Sequence, residues 1–374
     1  MDLQEIRKEL DVIDRELVKL FEKRMDLSVE VAEYKAETGK PVLDKDRERQ
    51  KIEAVRALAG DENKQSVEEL FTQLMTLSRR LQYRVLAEKG KGPEFDFQMV
   101  DSLKLEGARI VYQGIEGAYT QEAALRFFGT DADTYHVKTW EEVMQEVEAG
   151  RADYGVLPIE NSFAGVIADN YDLLMKYHNH IVAETFLPVN HALLGLPEAE
   201  LADIRTVYSH AQGLMQCAGF LGSHPDWKKI SVENTAVAAR KVLEGGDASE
   251  AAIASETAGK LYGLKVLKAS VNDSRQNTTR FIIVAKKAIY QKTASKVSIC
   301  FELPHKSGTL YNMLSHFIYN NVNMVMIESR PIKDRNWEYR FFVDIEGSLS
   351  QAPVRNALQG IAQEAANMRI IGNY

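Results

Sequence analysis

The chain has 374 residues, of which 45% are apolar and 27% charged. That is enough for two or three soluble domains. A formal net charge of −8 argues against a surface built to bind nucleic acid, although a local basic site is compatible with it. The two cysteines, Cys217 and Cys300, form no CxxC and no His/Cys pairing at metal spacing, which fits a reducing compartment and no structural zinc. The opening residues, MDLQEIRKELD, are charged and lack the apolar segment of a secretory signal. No apolar run reaches the roughly 18 residues of a membrane span. A cytoplasmic protein without membrane contact is expected.

From Met1 to Thr38 the chain contains no glycine or proline. Apolar residues recur at 3, 6, 10, 13, 17, 20, 27, 31 and 34, a heptad a/d register interrupted only at Arg24. This predicts one helix of about 35 residues, about 50 Å long. A module this small cannot bury such a helix alone, so pairing with a second copy is expected. Gly39 and Pro41 end it. Asp44 reads as the N-cap of a second helix, which carries Ile52, Val55 and Leu58 and stops at Gly60. Ser66 and Glu69 form a capping-box pattern for a third helix, with Leu70, Phe71, Leu74, Leu77, Leu81 and Val85 as its apolar face.

Arg24 is the informative exception. A guanidinium on an apolar seam is costly unless an anion meets it. Lys35, close to three turns on, points the same way. Asp44, Arg47 and Glu48 share one helix face, and Ser78 and Gln82 another. Together they supply cations, a carboxylate and neutral donors for a small dianionic, hydroxylated ligand. The constellation Arg7, Arg24, Lys35, Asp44, Arg47, Glu48, Ser78 and Gln82, with the segment PVLDKDRER, resembles the all-helical chorismate mutases. The resemblance covers about residues 3–88. It implies a dimer of long helices in which Arg7, from the partner chain, and Arg24 hold two substrate carboxylates. Lys35 and Gln82 would donate to the ether oxygen, and Glu48 would meet the hydroxyl.

Residues 91–106, beginning KGKGPEFDFQ, read as a linker. From 107 to 286 apolar runs alternate with helical patterns, which argues for an α/β module with largely parallel sheets. Strands are expected at 109–112 and 154–157 and helices at 120–128 and 139–150, the latter capped by Thr139 and Glu142. A second lobe is expected to begin near Ile181. Its strands would lie around 192–196, 206–208 and 251–254, and its helices around 212–221 and 235–243. The run Phe281–Ala285 would return to the first lobe. Pro158 is read as the end of the strand at 154–157, which places Glu160, Asn161 and Ser162 at a ligand crevice. Gly114-Ile115-Glu116-Gly117 lacks the spacing of a nucleotide loop and reads as a tight turn with its amides toward the cleft.

The blocks YQGIEGAYT, LPIENSFAGV, YSHAQGLMQC, VENTAVAA and TTRF (Thr278–Phe281) resemble the prephenate dehydratases. Ala211 departs from the proline usual after Ser-His in that family. The resemblance implies that Thr279 donates a hydrogen bond to the departing hydroxyl, whether it transfers the proton or only positions the group. It also implies that Asn161, Ser162, Ser209, Gln216 and Glu233 line the cleft. Arg280 would bind a carboxylate or form a structural salt bridge; Glu160 would be an acid or a hinge residue; His210 reads as structural. No cofactor is required, because the leaving hydroxyl accepts the electrons released by decarboxylation.

Residues 295–374 show the order βαββαβ, a ferredoxin-like pattern. KSGTLYNML and ESRP (Glu328–Pro331) resemble the ACT domain of phenylalanine-regulated enzymes. That implies L-phenylalanine bound between two such domains, near Gly308, Thr309, Leu310, Glu328, Ser329 and Arg330. Ser307 and Thr309 stand where that family more often has proline and alanine. The three resemblances together imply a multidomain homodimer or higher homo-oligomer, with all-α mutase helices, a two-lobed α/β dehydratase domain and an α+β ACT domain. Such a protein would convert chorismate to prephenate and prephenate to phenylpyruvate, in phenylalanine biosynthesis.

Overall fold

A computed structural model describes residues 2–91, 94–274, 276–306, 308–333 and 335–374. The chain forms two compact units, Met1–Asp96 with Ser295–Ile370, and Phe97–Ala294 with Ile371–Tyr374. No helix among the described residues is long and apolar enough to cross a membrane.

In the first unit, helix α1 spans Leu3–Thr38, α2 Lys45–Leu58 and α3 Lys64–Glu88. Asp2 caps α1 in a reciprocal box with Glu5, and Gly39 closes it at φ 71°, a left-handed turn that glycine adopts without strain. The Asp44 side chain accepts from the Arg47 amide and starts α2, as its position predicts. The expected Ser66–Glu69 box does not form. A 3-10 turn at Asp61–Asn63 leads directly into α3, so both residues lie inside the helix. The heptad seam of α1 is uncovered within the single chain: Leu3, Leu10, Leu17 and Leu20 are all more than half exposed. The face of α3 that is buried differs from the expected one. It carries Met75, Thr76, Ser78, Arg79, Gln82, Tyr83 and Leu86, while Leu70 is exposed.

The C-terminal part of this unit has strands Lys296–Leu303, Met324–Pro331 and Tyr339–Glu346 and a last strand beginning at Asn367, with helices Thr309–Tyr319 and Ala352–Glu364. The strand order is 324–331, 339–346, 296–303, then the last strand. This is the βαββαβ order expected. The two helices pack closely, because a Cβ at Gly360 would lie 2.3 Å from the His316 ring. Ser307 lies outside the described residues.

The second unit is α/β with two lobes. In the first lobe the strand Arg109–Gln113 runs parallel to Asp133–Val137 and to Tyr154–Asn161. Thr278–Ala285 lies antiparallel between Tyr154–Asn161 and His180–Pro188. The sheets are therefore mixed rather than largely parallel. His180–Pro188 belongs to this lobe, so the second lobe begins at Ala192 and not near Ile181. Its strand order is 265–268, 192–195, 250–254, 206–209, 228–231. The strands at 133–137, 228–231 and 265–268 are short and not strongly apolar, and they escape the pattern. The expected linker is partly structured: Gln98–Val100 pairs with Ile289–Gln291, and Leu103 is buried in the core beside Ile110, Val156 and Ile283. Within that linker, Gly92 and Pro93 lie outside the described residues.

Pro158 does not end its strand. The strand continues to Asn161, with a register shift opposite Arg280 and Phe281 that leaves Ile159 as the extra residue. Beyond that bulge Asn161 pairs with Thr279, and Glu160 with Arg280.

Candidate active sites

The helical site is built where α1, α2 and α3 meet. Arg24, Lys35, Asp44, Arg47, Glu48, Ser78 and Gln82 all line one cavity of about 230 Å³. Of the residues expected there, only Arg7 is absent. It sits 17 positions before Arg24 on the same helix, roughly 25 Å away at 1.5 Å per residue.

Arg24 donates to the Leu74 carbonyl at 2.9 Å and to Ser78 Oγ. Ser78 and Ser28 hydroxyls are 3.1 Å apart and fix that end of the cavity. Lys35 Nζ donates to the Val42 carbonyl at 2.6 Å, which leaves two of its three donors for a ligand. Burial lowers the Lys35 pKa, while Asp44 and Glu48 pull it back up without restoring it. Burial also lowers that of Arg24, against the pull of Glu48. Gln82 Oε1 is buried without a hydrogen-bond partner, a polar group that a ligand would satisfy. Turning the amide would present its N–H groups there instead. Arg24, Lys35, Arg47, Lys51 and Arg79 line the cavity against the two carboxylates Asp44 and Glu48, so the described lining favours an anion.

Arg79 escaped the sequence reading. Its Nη1 donates to both oxygens of Glu48, at 2.5 and 2.6 Å. Arg79 is 7% exposed, and nothing in an apolar-periodicity argument marks a buried arginine beside an expected site residue.

The second cavity, of about 660 Å³, lies in the two-lobed unit. Asn161, Gln216, Glu233 and Thr279 line it, as expected. The cross-strand pairs explain which other residues do not. Side chains alternate along a strand and cross-strand partners share a face. Asn161 and Thr279 therefore face the cleft, and Glu160 and Arg280 face away. Arg280 Nε donates to Glu184 at 2.7 Å and its Nη2 to the Tyr374 hydroxyl at 2.8 Å, and Glu160 lies 3.9 Å from it. Of its two readings, the structural salt bridge is the one the geometry supports. Ser162 is also structural: its hydroxyl accepts from the Thr278 amide and donates to the Gln276 carbonyl. Ser209 is fully buried and donates to the Ile253 carbonyl at 2.7 Å. The amides of Gly114 and Gly117 are taken by the Val137 carbonyl and Gln121 Oε1, so they do not serve the cleft.

The orientation of Asn161 follows from its partners. Its Oδ1 accepts from the Phe163 and Ala164 amides at 3.0 and 2.9 Å, which fixes Nδ2 as the donor. Nδ2 then donates to Asn277 Oδ1 at 2.8 Å and to Thr279 Oγ1 at 2.9 Å. The Thr279 oxygen thus receives a hydrogen bond, and its own proton is left for something in the cleft.

His191, Tyr119 and Trp140 also line this cavity and were not anticipated. His191 Nδ1 is 3.0 Å from the Tyr119 hydroxyl, and Nε2 is 2.9 Å from the Gln216 amide. Burial lowers the His191 pKa, partly offset by Gln216, which favours the neutral ring. No lysine or arginine appears in the described lining. Instead, the first residues of the helices Tyr119–Phe128, Ala168–Lys176 and Thr235–Gly245 border it. Helix N-termini carry partial positive charge and free amides. His210 lines the cavity and also caps the short helix that follows, accepting from the Gln212 amide.

In the C-terminal module, Gly308 takes φ 79° and begins the helix Thr309–Tyr319 without a side-chain cap. Leu310 is half-buried, and Glu328, Ser329 and Arg330 lie on the strand Met324–Pro331.

Comparison with known proteins agrees with the division into sites. Residues 6–83 match the family described as chorismate mutase type II, and residues 110–289 the family described as prephenate dehydratase. The bifunctional chorismate mutase/prephenate dehydratase of Aquifex aeolicus is 33% identical over 375 residues, covering all of this chain and 98% of that protein. Among solved structures, the prephenate dehydratase of Arthrobacter aurescens in complex with L-Phe is 29% identical, with TM-score 0.66, over 71% of this chain and 89% of that one. GqqA, described as a novel type of quorum quenching acylase, is 31% identical, with TM-score 0.66, over 71% of this chain and 97% of its own.

Proposed function

The chain belongs to the bifunctional chorismate mutase/prephenate dehydratase family, and we propose that the helical cavity rearranges chorismate while the two-lobed cavity converts prephenate to phenylpyruvate. The corresponding domains are 1–90 and 107–286, with 295–374 as an ACT regulatory domain. The observation that carries the mutase half is the gathering of seven expected polar residues, from three helices, around one cation-rich cavity.

The mutase reaction is unimolecular and needs no nucleophile. It needs a folded substrate and stabilised charge on the ether oxygen. Arg24 holds one carboxylate through its planar fork. The other falls to Arg7 of a second copy, since Arg7 of the same helix is too distant. That second copy would cover the exposed seam of α1. Lys35 and Gln82 donate to the ether oxygen, and Glu48 accepts from the hydroxyl. Asp44, Arg47 and Ser78 complete the binding surface.

In the dehydratase cleft, the C–COO⁻ bond breaks and its electron pair moves into the ring as the C–O bond to the hydroxyl breaks. The carboxyl carbon leaves as CO2, the hydroxyl leaves as water with one proton taken up from the medium, and the ring becomes aromatic. Thr279 gives a hydrogen bond to that leaving oxygen, because Asn161 already donates to its Oγ1. Three helix N-termini receive the carboxylates, and Trp140, Tyr119 and Phe281 pack the ring. Gln216 binds deep in the cleft beside His191, and Glu233 at the rim. L-Phenylalanine acts as feedback inhibitor through two copies of the C-terminal module. The helix start after Gly308, which has no side-chain cap, supports this, as does the L-Phe complex of the Arthrobacter aurescens relative.

Reciprocal variants test the assignment. Arg24→Ala abolishes mutase turnover and keeps dehydratase turnover, and Asn161→Ala does the reverse. Loss of both activities in either variant, with the fold retained by circular dichroism, contradicts the two-site reading.

A further inference from the structure

Arg79 has three nitrogen edges: two make hydrogen bonds, and the third, buried, meets a carboxylate as an ion pair without hydrogen-bond geometry. Nη1 binds both oxygens of Glu48. Nη2 donates to Thr76 Oγ1 at 3.1 Å, one turn back on α3. Nε faces Glu364 Oε1 at 3.0 Å. Glu364 is the last residue of the C-terminal module's helix Ala352–Glu364, and its Oε1 also lies 3.2 Å from His316 Nε2 on the helix Thr309–Tyr319. The carboxylate is drawn below its ordinary range: burial would raise it, but His316 and Arg79 outweigh burial. Next to Glu364, Gln363 Oε1 accepts from the Tyr83 hydroxyl at 2.6 Å. Gly360 leaves room for the His316 ring and no more. The end of this helix is thus tied to α3 by one hydrogen bond and one ion pair.

We propose that Arg79 is a positioning residue for Glu48, and that Glu364 makes the C-terminal module a determinant of how well the helical site turns over. The inference rests on the reading above that Glu48 accepts from the substrate hydroxyl. Glu48 rides on α2, and a free glutamate there would sample several rotamers. Arg79 holds it from α3 through Nη1, while Nη2 and Nε of the same plane are turned to Thr76 and Glu364, an arrangement of three partners around one rigid plane that a lysine cannot copy. Arg79 is itself held from the opposite side by Glu364. Glu48 and Arg79 also line a second cavity of about 230 Å³ with Thr309, Met313 and Glu364. The same ion pair therefore walls the helical cavity on one side and borders the C-terminal module on the other.

The test uses the full chain, with mutase kcat and KM on chorismate and dehydratase turnover on prephenate as a check of fold. Arg79→Gln is expected to lower mutase kcat about 10- to 100-fold, the size of a misplacement of about 1 Å. KM should change less than about threefold and dehydratase turnover less than about twofold. Arg79→Lys is expected to recover part of the loss. In a Glu48→Ala background, Arg79→Gln should add less than about twofold, because the group it positions is gone. A kcat unchanged by Arg79→Gln, or a loss equally large in the Glu48→Ala background, overturns the proposal. If Arg79→Gln loses both activities through misfolding, Glu364→Gln decides. It keeps the Arg79–Glu48 pair, and a mutase kcat several-fold lower with full dehydratase turnover supports the link, while an unchanged kcat removes it. A Glu48→Ala protein with full mutase turnover would instead overturn the assignment of Glu48 itself.

Discussion

Replacing Thr279 by valine removes one oxygen and keeps the shape. Thr279 is 8% exposed on a strand, where valine is well tolerated. The stability cost is that of one buried hydrogen bond, from Asn161 Nδ2, which still has Asn277 Oδ1 at 2.8 Å. That is about 1 kcal/mol, small beside a total stability of about 5–15 kcal/mol. The effect on turnover is larger. A positioned proton donor contributes roughly 10²–10⁴ in rate, or about 3–5 kcal/mol of barrier at 1.36 kcal/mol per decade. Thr279→Val should therefore lower dehydratase kcat by two to four decades, to order of magnitude. Its melting temperature should fall by only a few degrees, and Thr279→Ser should keep turnover within about tenfold. The assay is phenylpyruvate formation from saturating prephenate, with mutase turnover on chorismate measured on the same preparation. A valine variant within about threefold of the parent would refute the argument, because valine cannot donate to the leaving oxygen.

In the proposed role Lys35 stabilises the charge that develops on the ether oxygen, which its ammonium form does far better than the neutral amine, and burial lowers its pKa. Mutase kcat should therefore fall as pH rises through a value below that of an ordinary lysine, and Lys35→Arg should move that limb to higher pH. A limb in the ordinary lysine range, or none, contradicts the role. Arg280→Met should cost about 2–3 kcal/mol, less than the roughly 3–5 of a fully buried pair, while KM for prephenate stays within about twofold; a large rise in KM would restore the carboxylate-binding reading. Ser209→Ala should likewise lower the melting temperature and leave both turnover numbers intact, as thermal unfolding and the two assays will show.

Periodicity carried the helices well, because α1 needs only a heptad broken once, at Arg24, and a glycine stop, and Asp44 needs only its own side chain to cap α2. It failed at Pro158, where a bulge at Ile159 lets the strand run on to Asn161. Proline marks strand ends on average, but bulges near sites are a known exception. Motif blocks located the dehydratase cleft but could not assign faces. Thr279 and Arg280 are adjacent in TTRF, and only the strand register sends one into the cleft and the other toward Glu184. His191 was invisible because a lone histidine in Val-Asn-His-Ala has no local signature, and its partners Tyr119 and Gln216 are 72 and 25 residues away. Arg79 was missed for the opposite reason. It sits beside an expected residue, Ser78, but its partners come from α2 and from the far end of the sequence. The apolar face expected on α3 is only half-buried, apart from the exposed Leu70, because polar side chains such as Thr76, Ser78, Arg79 and Gln82 take the most buried side of that helix.

The central claim is that one chain carries both reactions in sequence. Purified protein given chorismate alone, with chorismate, prephenate and phenylpyruvate followed over time, tests it directly. The account predicts that prephenate rises and falls, or stays low, as phenylpyruvate accumulates, and that added L-phenylalanine slows the second step. Prephenate that accumulates without phenylpyruvate would contradict the dehydratase half. Chorismate left untouched would contradict the mutase half.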